Sequence, residues 1–329
     1  MDTERRADGR RAFLTKAGTS VLVAGSAALG SPTISGATNF EIERYGDKEL
    51  KIATVNKLKQ GIRNKILSDP RLAPGFLKLA INDALGYNAR TLAGGPDASV
   101  AMEMDREENR GLKPAFDAIL EIKKSLQRTN EISLADVIAY AGGEAMEASG
   151  APRVVVQLGR YDEKKAANIA EPIAGFSWEA PTADGFKAAF RRSGMGGREM
   201  ALLLCALGSV RDVVDDALEN AEEAEEDDLQ DMSWQELLPN TFGGQGEMYG
   251  KRIGAGFFGT AYLERLLKAE KSKPASLSMM DNLLLSDAEV KSYMLKYAGK
   301  QKAFAGDVID AYQKMTLLGE QYETRLLTD

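Results

Sequence analysis

The 329 residues of this chain contain no histidine. Imidazole is the side chain whose unperturbed pKa lies nearest neutrality. It is the usual general acid or base and one of the usual haem ligands. Without it a chain cannot run a Ser-His-Asp triad or build a histidine zinc site. The single cysteine, Cys205, lies in the apolar run "MALLLCALG". A lone cysteine excludes an internal disulfide, and these neighbours predict a small buried apolar residue rather than a nucleophile. The remaining concentration of reactive groups is acidic. Glu219 to Asp231 read "ENAEEAEEDDLQD", with carboxylates at Glu219, Glu222, Glu223, Glu225, Glu226, Asp227, Asp228 and Asp231. Like charges repel and stay solvated, which predicts an insertion loop. A docking site for a basic partner, or loose Ca²⁺ binding, is the alternative, although the spacing is not that of an EF-hand loop.

The elements that must position these groups are helical. In "LKPAFDAILEIKKSLQ", Phe116, Ile119, Leu120, Ile122 and Leu126 recur at helical spacing, with Pro114 in the first turn. "SLADVIAYAGGEAMEAS" opens on Ser133 with Asp136 three residues on, resembling a capping box with Asp in place of Glu. Further helices are predicted over "AYLERLLKAE", "DAEVKSYMLKYA" and "KAFAGDVIDAYQKMTLLG", the last stopping at Gly319. The best strand candidate is "RVVVQLGR". Helices joined by loops, with no strand series, predict an all-α fold. Hydrophobic residues at 44% and charged residues at 28% are ordinary for a soluble globular protein. A net charge of −7 argues against phosphate-driven nucleic-acid binding.

The N-terminus reads as an address. "GRRAFLTK" carries Arg10, Arg11, Phe13, Leu14 and Lys16, similar to a twin-arginine export signal. The apolar stretch "AGTSVLVAGSAAL" follows and is too short for a membrane span. Ser35, Gly36 and Ala37 offer a cleavage site. Residues 1–37 are therefore expected to be a cleaved signal segment and 38–329 the working domain, with no transmembrane span. Met1 to Asp8 do not resemble an organelle transit peptide.

Four segments in order resemble the plant and fungal haem peroxidase superfamily, its ascorbate peroxidase branch in particular. They are "APGFLKLAINDALGYNARTLAGGPDAS"; "NRGLKPAFDAILEIK" with "ISLADVIAYAGGEAMEASGAPRVVVQLGRYD"; "GMGGREMALLLCALG"; and "DNLLLSDAEVKSYMLKYAGKQKAFAGDVIDAYQKMTLLG". The resemblance implies two mostly helical lobes that normally hold haem between them. In active members a distal helix supplies an arginine, an aromatic residue and a histidine. Here those positions fall on Lys78, Ile81 and Asn82. Lysine keeps the charge but not the planar fork, and an amide is not basic enough to take a proton from peroxide. The proximal iron-binding position falls on Leu207. An alignment shifted by two would place Cys205 there as a thiolate ligand, at the expense of matching Glu199 and Met200. The family aspartate that orients the proximal histidine is matched by Asp281, expected to have nothing left to orient. The proximal tryptophan falls near Lys251, and Trp234 does not match its spacing.

The resemblance therefore implies a peroxidase scaffold with no catalytic residues, no haem and no metal. With the twin-arginine segment it is similar to the ascorbate-peroxidase-like branch of the plant and algal thylakoid lumen. That implies a non-enzymatic accessory role at a membrane protein complex, plausibly the lumenal side of photosystem II. A bacterial periplasm is the other destination. The alternative function is a haem-binding, ascorbate-type peroxidase of the oxidative-stress response with residual or unusual activity. A small-molecule binder reusing the inter-lobe cleft is a third.

Overall fold

The computed structural model describes residues 48–126, 132–167, 173–223, 258–272 and 277–319. The twin-arginine segment, Trp234, Lys251 and most of the acidic run lie outside these residues. Among the described residues every named element is helical, and the one β-type pairing is an isolated bridge between Asn88 and Ala93. The expected all-α fold is therefore found.

Four helices form one layer: α1 (Lys48–Ser68), α2 (Leu72–Leu85), α3 (Lys113–Leu126) and α4 (Leu134–Ala148). α2 lies against α4, and α1 packs on both α3 and α4. Gly142 is the reason α4 and α2 come so close. A Cβ there would stand 2.8 Å from the Ala80 Cβ and 2.3 Å from the Tyr312 hydroxyl. After α5 (Ala183–Arg192), the second group is built on the long α6 (Gly197–Glu223). α7 (Thr260–Ser272), α9 (Ala288–Tyr297) and α10 (Gln301–Thr316) pack against α6, with α8 (Met279–Ser286) beside them. α2 meets α6 directly, so these two helices join the groups.

Local signals explain several boundaries. The Ser133 hydroxyl accepts from Asp136 N at 3.1 Å, capping α4 as expected. Asp136 does not reach back to complete the box. It is fully buried and accepts from Gly159 N at 2.9 Å and from the Arg160 guanidinium at 2.8 Å. Arg160, also fully buried, donates onward to the Thr316 carbonyl at the end of α10. That need for a partner outranked the local cap, because an uncompensated buried charge costs far more than one capping bond. In α3, Phe116, Ile119, Ile122 and Leu126 are buried, but Leu120 is 40% exposed. α10 ends at Thr316, and Gly319 follows at φ +78° after a turn.

Two expectations are corrected. "RVVVQLGR" is not a strand. Val154 and Val156 are buried and Val155 is exposed, giving strand-like alternation, yet side chains rather than a neighbouring strand satisfy the backbone. Val154 N donates to Glu147 at 2.7 Å, and the Tyr140 hydroxyl donates to the Val156 carbonyl at 2.7 Å. The acidic run was expected to be a loop from its first residue, but α6 continues through Glu223. Val213, Val214 and Ala217 bury the inner face of this helix and carry it into the charged segment.

Candidate functional site

The residues singled out in the sequence lie on three helices, of which α2 and α8 each pack against α6. α2 contributes Lys78, Ile81 and Asn82. α6 contributes Cys205 and Leu207. Asp281 sits in the first turn of α8. Ile81 has 0% of its surface exposed and Leu207 5%, so both are packed over.

The Asn82 amide is fully engaged. Its Nδ2 donates at 2.7 Å both to the Glu108 carbonyl and to Asn109 Oδ1. Its Oδ1 accepts from Trp178 Nε1 at 3.1 Å. Trp178 is also fixed edge-on against Phe186, with ring centroids 5.0 Å apart. The Lys78 ammonium lies 5.4 Å from the Trp178 ring centroid. Burial lowers the Lys78 pKa, and the Arg211 charge lowers it further.

Asp281 is the best-connected group here. Ser278 N donates to Asp281 Oδ2 at 3.2 Å and the Ser278 hydroxyl accepts from Asp281 N at 3.1 Å, a reciprocal capping box. Its Oδ1 accepts from the Tyr262 hydroxyl at 2.7 Å and from Arg211 Nη2 at 2.8 Å. Burial works to raise this carboxyl's pKa, but the Tyr262 hydrogen bond and the Arg211 charge hold it below the ordinary value. Burial pushes the Tyr262 phenol well above its own ordinary value, with Asp281 adding to the effect. Asp281, expected to have nothing left to orient, has other partners. A phenol and a guanidinium hold it. The Tyr262 ring is seated on Gly208, where a Cβ would stand 2.2 Å from the ring.

Sequence reasoning missed Arg211, Tyr262 and Trp178. Arg211 was findable, because it stands four residues after Leu207 and so on the same side of α6. Tyr262 was not, because the long segment between α6 and α7 removes any spacing by which to register it.

These residues do not fit haem. Leu207 has no donor atom, both amide protons of Asn82 are spent on the protein, and its Oδ1 already accepts from Trp178. Burial, then Asp281, pushes the Cys205 thiol pKa well up, which opposes the thiolate that an iron ligand requires. Among the described residues no group of three His, Cys, Asp or Glu side chains is arranged to hold a metal ion.

The helical layers and the α2–α6 junction define a peroxidase-type fold. The family model for peroxidase matches residues 58–300, and the chain belongs to that family. It is 28% identical over 228 residues to the thylakoid lumenal 29 kDa protein, chloroplastic, of Arabidopsis thaliana, covering 60% of this chain and 64% of the relative. The protein of the same name from Solanum lycopersicum is 27% identical over 182 residues, covering 46% and 53%. L-ascorbate peroxidase 3 of Arabidopsis thaliana is 25% identical over 272 residues, covering 80% of each. The chain thus spans between half and two thirds of the lumenal relatives it matches. The crystal structure of the TL29 protein from Arabidopsis thaliana superposes with a TM-score of 0.52 at 20% identity, covering 82% of this chain and 95% of that one, which supports the fold. The likeness to chloroplast lumenal proteins supports a thylakoid-lumen location, as the sequence reading expects. No described helix is long and apolar enough to cross a membrane.

Proposed function

We propose that this chain is a peroxidase-like protein without peroxidase chemistry, working in the lumen as an accessory to a membrane protein complex, photosystem II in particular. In this reading Lys78, Ile81 and Asn82 are the degenerate distal positions, Leu207 the degenerate proximal one and Asp281 the retained orienting carboxylate. Residues 1–37 are removed on export. The observation that carries the reading is the bonding of Asp281. The carboxylate that would hold an imidazole is committed to Tyr262 and Arg211, so the site is rebuilt around other partners rather than merely lacking a ligand. A fold whose site no longer does chemistry keeps its surface as the carrier of function. The acidic run, screened only beyond roughly 8 Å at physiological salt, suits steering to a basic lumenal patch.

Two measurements test this. Mixing the purified protein with haemin should give no sharp Soret band. Thylakoid fractionation should show attachment that weakens as salt rises. Replacing residues 224–231 with a Gly-Ser loop should release the protein while its thermal melt is unchanged. A ligated haem spectrum with peroxide turnover would instead support a residual peroxidase of the oxidative-stress response. Attachment equally firm in the neutral variant at every salt concentration would remove the acidic run from the docking face.

A further inference from the structure

A cavity of about 360 Å³ lies between α1 and the segment that leaves α4, and none of Lys78, Ile81, Asn82, Leu207 or Asp281 lines it. Its charged wall is uneven. α1 supplies Lys59 and Arg63, about one helical turn apart, and α4 supplies Glu144 and Glu147. The Lys59 ammonium pairs with both carboxylates. Arg63 Nε donates to Glu144 Oε2 at 2.7 Å, and Arg63 Nη2 donates to Glu147 Oε2 at 3.3 Å. Two cations thus meet two carboxylates. Arg153 adds a third cation and brings no carboxylate with it. It is exposed and lines the cavity, and among the described residues it forms no ion pair. The chain beside it is anchored, since Val154 N donates to Glu147 Oε1 at 2.7 Å.

The wall therefore carries an excess of positive charge, in a chain whose net charge is −7. Glu147 does not cancel it, because its oxygens already accept from Lys59, Arg63 and Val154 N. The Arg153 guanidinium presents a planar fork of donors that matches a carboxylate. Val55 and Ala151, both half-buried, add apolar wall to the same cavity, which leaves room for a short hydrocarbon body. A bare inorganic anion would gain nothing from that apolar surface. The paired residues are held in advance, so the ordering that remains on binding falls mainly on Arg153. We propose that this cavity binds a small aliphatic carboxylate, with its carboxylate on Arg153 and its hydrocarbon chain against Val55 and Ala151. The proposal goes beyond the accessory role above and does not depend on the identity of the docking partner.

Charge and chain length can be varied separately to test this. The purified full chain is titrated calorimetrically with acetate, butyrate and hexanoate, at ionic strength held constant with chloride. Saturable binding is expected, tightening roughly twofold to fourfold for each methylene that becomes buried. Hexanol has the same body without the charge and should bind about tenfold more weakly than hexanoate. Arg153→Gln should weaken hexanoate binding about tenfold, as expected for losing a bond between charged groups. Arg153→Lys keeps the charge without the fork and should fall between that variant and the parent. Arg153 is exposed, so neither change should disturb the fold. No saturation with any of the acids, an affinity independent of chain length, hexanol binding as tightly as hexanoate, or an Arg153→Gln isotherm superimposed on the parent would overturn the proposal. Inorganic phosphate binding more tightly than hexanoate would do the same. The measurement uses the isolated chain, so failure of this site and failure of thylakoid attachment are distinguishable.

Discussion

The Tyr262 hydroxyl donates a 2.7 Å hydrogen bond to the carboxylate of Asp281, nineteen residues away, while its ring rests on Gly208. One side chain thus occupies both a hydrogen-bonding position and a packing position at the α6–α7–α8 junction. Tyr262→Phe keeps the packing and removes the bond. The expected loss is about 1.5–3 kcal/mol, the range for hydrogen bonds to charged groups, read as a lower urea midpoint with an unchanged slope. Tyr262→Phe should also move acid unfolding to higher pH. A carboxylate held below its ordinary pKa stabilises the fold above that value and loses its contribution as pH falls through the lowered one. Superimposed acid transitions for parent and variant would show that the bond contributes nothing.

Gly208→Ala should destabilise by about 1–3 kcal/mol, because the new methyl would meet the Tyr262 ring at 2.2 Å. Tyr262→Ala should remove most of that penalty. A double-mutant cycle in urea checks this, and additive losses would mean that the two residues do not share the space described.

Restoring the ligand set should not restore haem. In a variant carrying Leu207→His, Asn82→His and Lys78→Arg, Asp281 is still bound by Tyr262 and Arg211, and Trp178 Nε1 loses its acceptor. Haemin titration should give no sharp Soret band. A ligated spectrum with peroxide turnover would show that the junction between α2 and α6 opens readily.

Arg160→Met should cost about 3–5 kcal/mol, since it removes the guanidinium bonded to buried Asp136. Replacing both residues with apolar ones of similar size should recover part of the loss. Urea melts of the single and double variants decide this.

Mild acid should stabilise the fold. Asp83, Asp97 and Glu103 are all buried beside one another. Burial raises each pKa, with Asp97 adding to the effect on Asp83 and partial relief from backbone N–H donors. Such carboxyls bind more protons folded than unfolded, so stability falls as pH rises from about 4 through the raised values. Melting temperature measured from pH 7 downward should climb before acid unfolding begins, and Asp97→Asn should flatten the climb. Equal slopes in parent and variant would count against it.

The helices were legible because their apolar spacing and caps are local, as at Ser133 and in the run from Phe116 to Leu126. "RVVVQLGR" misled because alternation records which side chains are buried, not what bonds the backbone, and Glu147 and Tyr140 supplied those bonds. The missing histidines were legible as absences. The partners of Asp281 were not, since Tyr262 reaches it through the fold and no sequence spacing encodes that distance.

The seat of the Tyr262 ring on Gly208 also bears on how such a chain can change over time. A histidine regained at 207 would find the neighbouring carboxylate taken. Any side chain regained at 208 would strike the ring before that ring had been trimmed. Trimming the ring first removes a hydrogen bond from a buried carboxylate. Each single step back towards an iron ligand therefore costs stability before it returns any activity. On the proposed reading, packing makes that loss a ratchet: reversion requires several coordinated substitutions at once, whereas drift on the outer surface stays open one residue at a time.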